Sequence, residues 1–156
     1  MLANKDASLQ AQNKQDLKKL NTLSTEYVSL VNKRKEALIK LRKRHRIVLE
    51  GSNLEAVPEL APSWKRMVSK YGFGEAFLRG VKAGRYAKPT SVQMQAIPLI
   101  MENRDAIVLA ETGSGKSLAF FAPLIEKIKR GDGLSCIVIA PTRELTIQLY
   151  KEFLVF

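Results

Sequence analysis

The sequence predicts an α/β chain: a parallel sheet entered through a phosphate-binding loop, preceded by a basic helical extension. Three observations carry that expectation. Ala106-Ile107-Val108-Leu109-Ala110 is a short, β-branched apolar run that breaks into Thr112-Gly113-Ser114-Gly115. It resumes as Lys116-Ser117-Leu118-Ala119-Phe120-Phe121, which can enter a helix. Leu134 to Ala140 is a second buried-strand run, after which Pro141-Thr142-Arg143-Glu144-Leu145 turns into a last helix. Strand, helix, strand, helix implies parallel pairing through a right-handed crossover. The third observation is a change of composition: residues 1–62 are polar and basic and read as extension and linker, and 63–156 read as the compact domain.

Each residue type in the loop has a physical task. Gly113 and Gly115 let the backbone turn tightly and bring its N–H groups against phosphate oxygens. The helix starts beneath them with unpaired N–H groups and its positive dipole end. Lys116 is a mobile cation able to reach β- and γ-phosphates, and Ser117 offers a hydroxyl to Mg²⁺. The general pattern opens on glycine, where this chain has Ala110.

Lys and Arg number 26 against 15 Asp and Glu, a formal net charge of +11, which favours a polyanionic partner, nucleic acid first. Cys136 is the only cysteine and reads as a core residue, so a disulfide framework and a cysteine metal cluster are excluded. His45 is the only histidine, which excludes histidine metal sites and triads. No apolar run is long enough to span a bilayer, and no charged-then-apolar secretory signal follows Met1, so no membrane partner is expected.

Taken in order, residues 1 to about 25 are polar, with Leu9, Leu17, Leu20 and Leu23 as sizeable apolar anchors, and read as weak helix or disorder. Glu26 to about Ile47 has better helical composition and two basic clusters, Lys33-Arg34-Lys35 and Arg42-Lys43-Arg44-His45-Arg46. Two readings stand for them: an RNA-contacting arm or nuclear import signal, and a solvated helix face. A short strand is expected at Ile47-Val48-Leu49, and Gly51 to Pro62 reads as linker. Ser63 caps a helix from Trp64 to Tyr71, and Glu75 to Ala83 is a second helix, ended by Gly84 as the residue after the cap. Thr90 or Ser91 starts a third, with Pro98 as an irregularity. The loop helix runs from Lys116 to about Arg130 with a kink at Pro123, and Gly131-Asp132-Gly133 is a turn.

The stretch Tyr86-Ala87-Lys88-Pro89-Thr90-Ser91-Val92-Gln93 adds a second set of site residues. A glutamine amide carries both a donor and an acceptor, and so can pair with adenine N6 and N7 together. Gln93 is placed for that role and Tyr86 for covering the base. In isolation, the stretch reads first as an ordinary proline-started helix.

Together, Tyr-x-Lys-Pro-Thr-x-Val-Gln, Ala-x-Thr-Gly-Ser-Gly-Lys-Ser and Pro-Thr-Arg-Glu-Leu, in this order, resemble the opening of a DEAD-box RNA helicase: its Q motif, motif I and motif Ia. Motif I of that family begins with alanine, so Ala110 fits, and Trp64 is similar to the family's isolated upstream aromatic. Arg85 stands where the family has glycine. The resemblance implies an N-terminal RecA-like domain, present here only in part, with two core strands. It implies that Tyr86, Lys88, Pro89 and Gln93 hold adenine, and that Thr112, Gly113, Ser114, Gly115, Lys116 and Ser117 hold the phosphates of ATP and Mg²⁺. Pro141, Thr142, Arg143 and Glu144 would shape the turn that meets the RNA backbone. The basic stretch before Gly51 is similar to the nucleolar branch acting in small-ribosomal-subunit assembly, which implies pre-rRNA as substrate and a nuclear, nucleolar site of action.

No two acidic residues are adjacent anywhere in the chain, so the Asp-Glu-Ala-Asp motif that would hold Mg²⁺ and orient water is absent. The chain is therefore expected to be an N-terminal helicase fragment, poorly folded and inactive on its own. Two alternatives stay open: a non-catalytic RNA-binding or adaptor product, and another P-loop NTPase.

Overall fold

The computed structural model describes residues 2–128 and 133–154, with side chains described from residue 13. Two compact units divide at Leu41: Met1–Leu41 and Arg42–Phe156.

Helix α1 spans Leu2–Arg44, 43 residues, so of weak helix or disorder the polar N-terminal part takes helix, continuous with Glu26 onward. Neither Gly nor Pro occurs before Gly51, so nothing interrupts the backbone ladder. Arg42, Lys43 and Arg44 in its last turn complement the negative end of the helix dipole. Leu17, Leu20, Leu23, Tyr27 and Leu30 are exposed along it. The side chain of Leu9 lies outside the described residues.

The second unit is built on four short helices: α2 (Trp64–Tyr71), α3 (Glu75–Ala83), α4 (Ser91–Met101) and α5 (Lys116–Lys127). Ser63 caps α2 by accepting from the Arg66 N–H, as the sequence predicts. Their inward faces meet in one cluster that includes Trp64, Met67, Phe73, Phe77, Ile97 and Leu118. Phe77 sits at its centre, edge-on to Trp64 (5.7 Å between ring centroids) and tilted against Phe73 (4.3 Å). Two polar ties lock α5 in place. The Gly74 N–H at the start of α3 donates to Glu126 Oε1 (2.8 Å), and Lys127 Nζ donates to the Ile100 carbonyl and to Asn103 Oδ1 at the end of α4. α5 runs through Pro123 and ends at Lys127; the expected continuation through Ile128 to Arg130 stops there as far as Ile128, and residues 129–132 lie outside the described residues. Helix α6 (Arg143–Phe153) follows, with Phe153 reaching Phe121 of α5 (5.3 Å between centroids).

Helix ends are closed by left-handed residues that are mostly not glycine. After α3 the Arg85 N–H donates to Lys82 O (3.1 Å) and the Tyr86 N–H to Val81 O (3.0 Å), with Arg85 at φ 54°. This is a Schellman closure whose left-handed residue is Arg85. Gly84, expected in that place, sits one position earlier in the right-handed region. Arg46 after α1 and Asn103 after α4 close in the same way.

The sheet is where expectation and structure part. Among the described residues there is no β-strand: Asp105–Ala110, Leu134–Ala140 and Ile47–Leu49 are all irregular backbone. Ile107 and Leu109 are 93% and 92% exposed, and Ile137 and Ile139 are 73% and 89% exposed. Their alternation is strand-like. Cys136, Val138 and Ala140 face a cavity of about 350 Å³ over α5 and α6, whereas Ile137 and Ile139 face outward. The physical reason is pairing. No backbone hydrogen bond joins the two runs, and a parallel strand requires a ladder on its edges and cover on both faces. Here each run has helices on one side only.

Two substitutions test this packing by denaturant unfolding followed by far-UV circular dichroism. Trp64→Ala should cost about 3–5 kcal/mol through the lost aromatic packing at Phe77. Arg85→Gly should stabilise by about 0.5–1 kcal/mol, since a left-handed conformation strains a side chain more than glycine's extra unfolded-state entropy costs.

Candidate nucleotide-binding site

The site is assembled where the start of α4 meets the turn before α5. Thr90 caps α4 in a reciprocal capping box: its Oγ1 accepts from the Gln93 N–H (3.4 Å), and its own N–H donates to Gln93 Oε1 (2.9 Å). Gln93 Nε2 then donates to the Gly115 carbonyl (3.0 Å). Gln93 is 1% exposed. The structure thus brings two of the sequence motifs into direct contact, and both ends of the amide expected to read adenine are engaged within the protein.

Gly115 has to be glycine. Its φ is 86°, and a Cβ there would lie 2.4 Å from Gln93 Nε2 and 3.3 Å from Thr90 Oγ1. Gly113 also turns left-handed, at φ 80°, and is exposed in open space. α5 starts at Lys116 with no side-chain cap, which leaves the N–H groups of its first turn for a ligand. Lys116 Nζ folds back to donate to the Ala110 and Glu111 carbonyls, both at 2.6 Å. Ser114 Oγ is buried without a hydrogen-bond partner, an orphaned hydroxyl in a loop shaped for polar groups. Ser117 is half-buried in the first turn of α5. The described residues hold no cluster of three or more His, Cys, Asp or Glu suited to a metal ion.

Tyr86 is held through its backbone. Trp64 Nε1 donates to the Tyr86 carbonyl (2.7 Å), so the upstream aromatic serves the core and the site at once. The Tyr86 ring covers Gly84, where a Cβ would meet the ring at 2.2 Å. Lys88 is exposed and Pro89 is buried. Pro141, Thr142, Arg143 and Glu144 form a separate, exposed group at the start of α6, where Thr142 caps the helix by accepting from the Leu145 N–H (3.2 Å). Among the described residues no ion pair joins Arg143 and Glu144, and both side chains are exposed.

Thr90 was the site residue the sequence reading passed over as a helix start. The Thr-x-x-Gln spacing of a capping box was its visible signal. Gln95, discussed below, had none, because a glutamine on a helix gives no sign of its burial.

A glycine-rich loop that begins an α-helix and is latched by a glutamine 22 residues upstream is the arrangement of a P-loop nucleotide-binding protein. Residues 90–156 match the family model described as DEAD/DEAH box helicase. The chain is 36% identical to the DEAD-box ATP-dependent RNA helicase 57 of Oryza sativa subsp. japonica, over 86% of this chain and 26% of that protein. It is 32% identical to the probable ATP-dependent RNA helicase DDX52 of Rattus norvegicus, over 96% of this chain and 24% of the relative. Among solved structures it is similar to the RNA helicase Prp28 of Chaetomium thermophilum bound to ADP, with a TM-score of 0.61 and 32% identity over 74% of this chain and 28% of that one. The chain belongs to the DEAD-box helicase family. It spans about a quarter of the length of the curated relatives it matches.

Gly115→Ala tests the latch. It should weaken binding of a fluorescent ATP analogue by at least roughly tenfold, because the new methyl and the left-handed backbone displace Gln93 together. Unchanged binding would show that the Gln93–Gly115 contact does not shape the site.

Proposed function

We propose that this chain forms the adenine- and phosphate-binding part of an ATP-dependent RNA helicase that opens RNA duplexes locally, with pre-rRNA in small-subunit assembly as substrate and the nucleus, chiefly the nucleolus, as its place of action. The observation that carries the reading is the 3.0 Å bond from Gln93 Nε2 to the Gly115 carbonyl, which makes the adenine-reading element and the phosphate loop one mechanical unit. Residues 1–62 serve as the basic extension and 63–156 as the nucleotide-binding part. The excess of basic residues and the exposed basic side chains Lys43, Arg44 and Arg46 support a polyanionic partner and a nuclear address.

ATP supplies the phosphoanhydride whose hydrolysis drives the cycle. The chain's own residues bind and orient it. Gly113, Gly115 and the first turn of α5 point N–H groups at phosphate, with Thr112 and Ser114 completing the loop. Lys116 exchanges the Ala110 and Glu111 carbonyls for β- and γ-phosphate oxygens. Ser117 gives its hydroxyl to Mg²⁺. Tyr86, Lys88 and Pro89 border the base, and Gln93 exchanges its Thr90 and Gly115 partners for the adenine edge. Arg143 and the N-terminus of α6 hold an RNA phosphate, within a turn shaped by Pro141, Thr142 and Glu144.

Nucleotide assays on the full-length protein test this. Lys116→Ala should lose about ten- to a hundredfold in ATP affinity and nearly all turnover, since its charge-assisted bonds are worth roughly 1.5–3 kcal/mol. Gln93→Ala should abolish the preference for ATP over GTP. A protein that uses both equally before mutation would overturn the assignment. The polypeptide 1–156 by itself should show no sustained turnover, because it lacks the paired carboxylates that hold Mg²⁺ and orient water. Its RNA binding should fall steeply with salt.

A further inference from the structure

We propose that Arg42 is a positioning residue for the nucleotide site, so that the segment upstream of the recognised motifs sets how tightly ATP is held; this rests on the nucleotide-site reading above. Three hydrogen bonds form a closed triangle. Arg42 Nε donates to Gln95 Oε1 (3.0 Å), Arg42 Nη2 donates to the Pro58 carbonyl (3.2 Å), and Gln95 Nε2 donates to that same carbonyl (3.0 Å). Gln95 is 4% exposed and Pro58 is buried. Three residues on, the Ala61 N–H donates to the Met94 carbonyl (2.9 Å). The segment 58–61 is therefore stitched to Met94 and Gln95, the two residues that follow Gln93 on α4.

The chemistry of the triangle requires arginine. The Gln95 carbonyl oxygen and the Pro58 carbonyl need donors from one direction, and the planar guanidinium fork serves both at once, which a lysine point charge cannot do. Without it, Gln95 Oε1 is a buried acceptor with no partner, and the amide loses its fixed orientation. Burial pushes the Arg42 guanidinium below its ordinary value, while the charge of Glu59 pulls it back up. It is held as a partly desolvated cation, unlike its exposed neighbours Lys43 and Arg44. Arg42 takes no part in the hydrophobic cluster around Phe77. Its bonds end on the early turns of α4 and on the strap over them. Two residues before Gln95, Gln93 carries the contact onward, its amide reaching the phosphate loop at Gly115. A shift of α4 at Gln95 is thus delivered to the loop.

Steady-state ATPase assays on the full-length protein at saturating RNA provide the test, with thermal melting as the check on folding. Arg42→Met keeps the stem and removes the fork. It should raise KM for ATP about five- to tenfold, with kcat at saturating ATP within about twofold of the parent. Arg42→Lys, which retains one donor site, should fall between. Gln95→Ala combined with Arg42→Met should raise KM no further than either change alone, because both break the same triangle. Lys65→Met, which removes an exposed charge without a partner role in the site, gives the background. An Arg42→Met KM equal to that of Lys65→Met would overturn the proposal. So would a fall in kcat and melting temperature together with no KM change and no rescue by lysine. Gln93→Ala separates the two levels. If it leaves the ATP preference intact, the nucleotide-site reading fails and this one with it; if the preference is lost while Arg42→Met leaves KM unmoved, only the role of Arg42 falls.

Discussion

A glutamine amide closing onto a glycine carbonyl ties the start of α4 to the glycine-rich loop before α5. Gln93 can reach Gly115 because Thr90 caps α4 and fixes the glutamine's rotamer through the return bond from its own N–H. Gly115 can receive it because no Cβ occupies the 2.4 Å gap. Each residue excludes alternatives at the other: a side chain at 115 displaces the amide, and a shorter side chain at 93 leaves the carbonyl unpaired. The bond joins two helices at their N-termini, which is where dipoles and open N–H groups gather positive potential. Two helix starts are thus held together, and both ends of the amide are committed to the protein, the oxygen to Thr90 and the nitrogen to Gly115.

Cover on one face explains why the sheet-forming runs stay irregular while the helices pack. The helical cluster is closed on itself: Trp64 and Phe73 pack edge-on and tilted against Phe77, and Ile97 and Leu118 seal the cluster from α4 and α5. Its members lie close in sequence or on adjacent helices, so it needs no sheet to form. The runs at 105–110 and 134–140 depend on ladders to other extended segments, and none of the described residues supplies one. Val138 and Ala140 turn toward α5 and α6, which is half of what a strand in a two-sided sheet requires. The other half, Ile107, Leu109, Ile137 and Ile139, is the apolar surface that a completed sheet would bury.

What the sequence made legible follows the range of the interactions. α2 and α3 were readable to the residue because a serine cap and a glycine after Ala83 are local signals. The loop was readable because its glycines and lysine have tasks that few other residues can perform. The first 25 residues read as weak helix or disorder, and of the two the structure has the helix, which rests on the absence of breakers rather than on an apolar stripe. Gly84 misled by one position: the left-handed conformation went to Arg85, since two backbone bonds from Arg85 and Tyr86 fix where the closure falls. The strands misled because their composition was right but pairing is a property of neighbours. Gln93 was found for its chemistry, while its present partners were invisible, since hydrogen bonds to Thr90 and Gly115 are matters of distance in space.

The basic cluster at the end of α1 shows the same limit and what it conceals. Read as a string, Arg42 to Arg46 is one positive patch with one purpose. Burial divides it: Lys43 and Arg44 are exposed, Arg46 spends its backbone on a left-handed helix closure, and Arg42 is turned onto Gln95 and Pro58. A polyanion drawn to the exposed members would meet a surface whose first residue is already committed to the early turns of α4. Competition for that guanidinium would act on the helix that carries Gln93, and from there on the loop at Gly115. Neighbours in one basic run therefore answer to different partners: solvent for Lys43 and Arg44, the Gln95 and Pro58 carbonyls for Arg42.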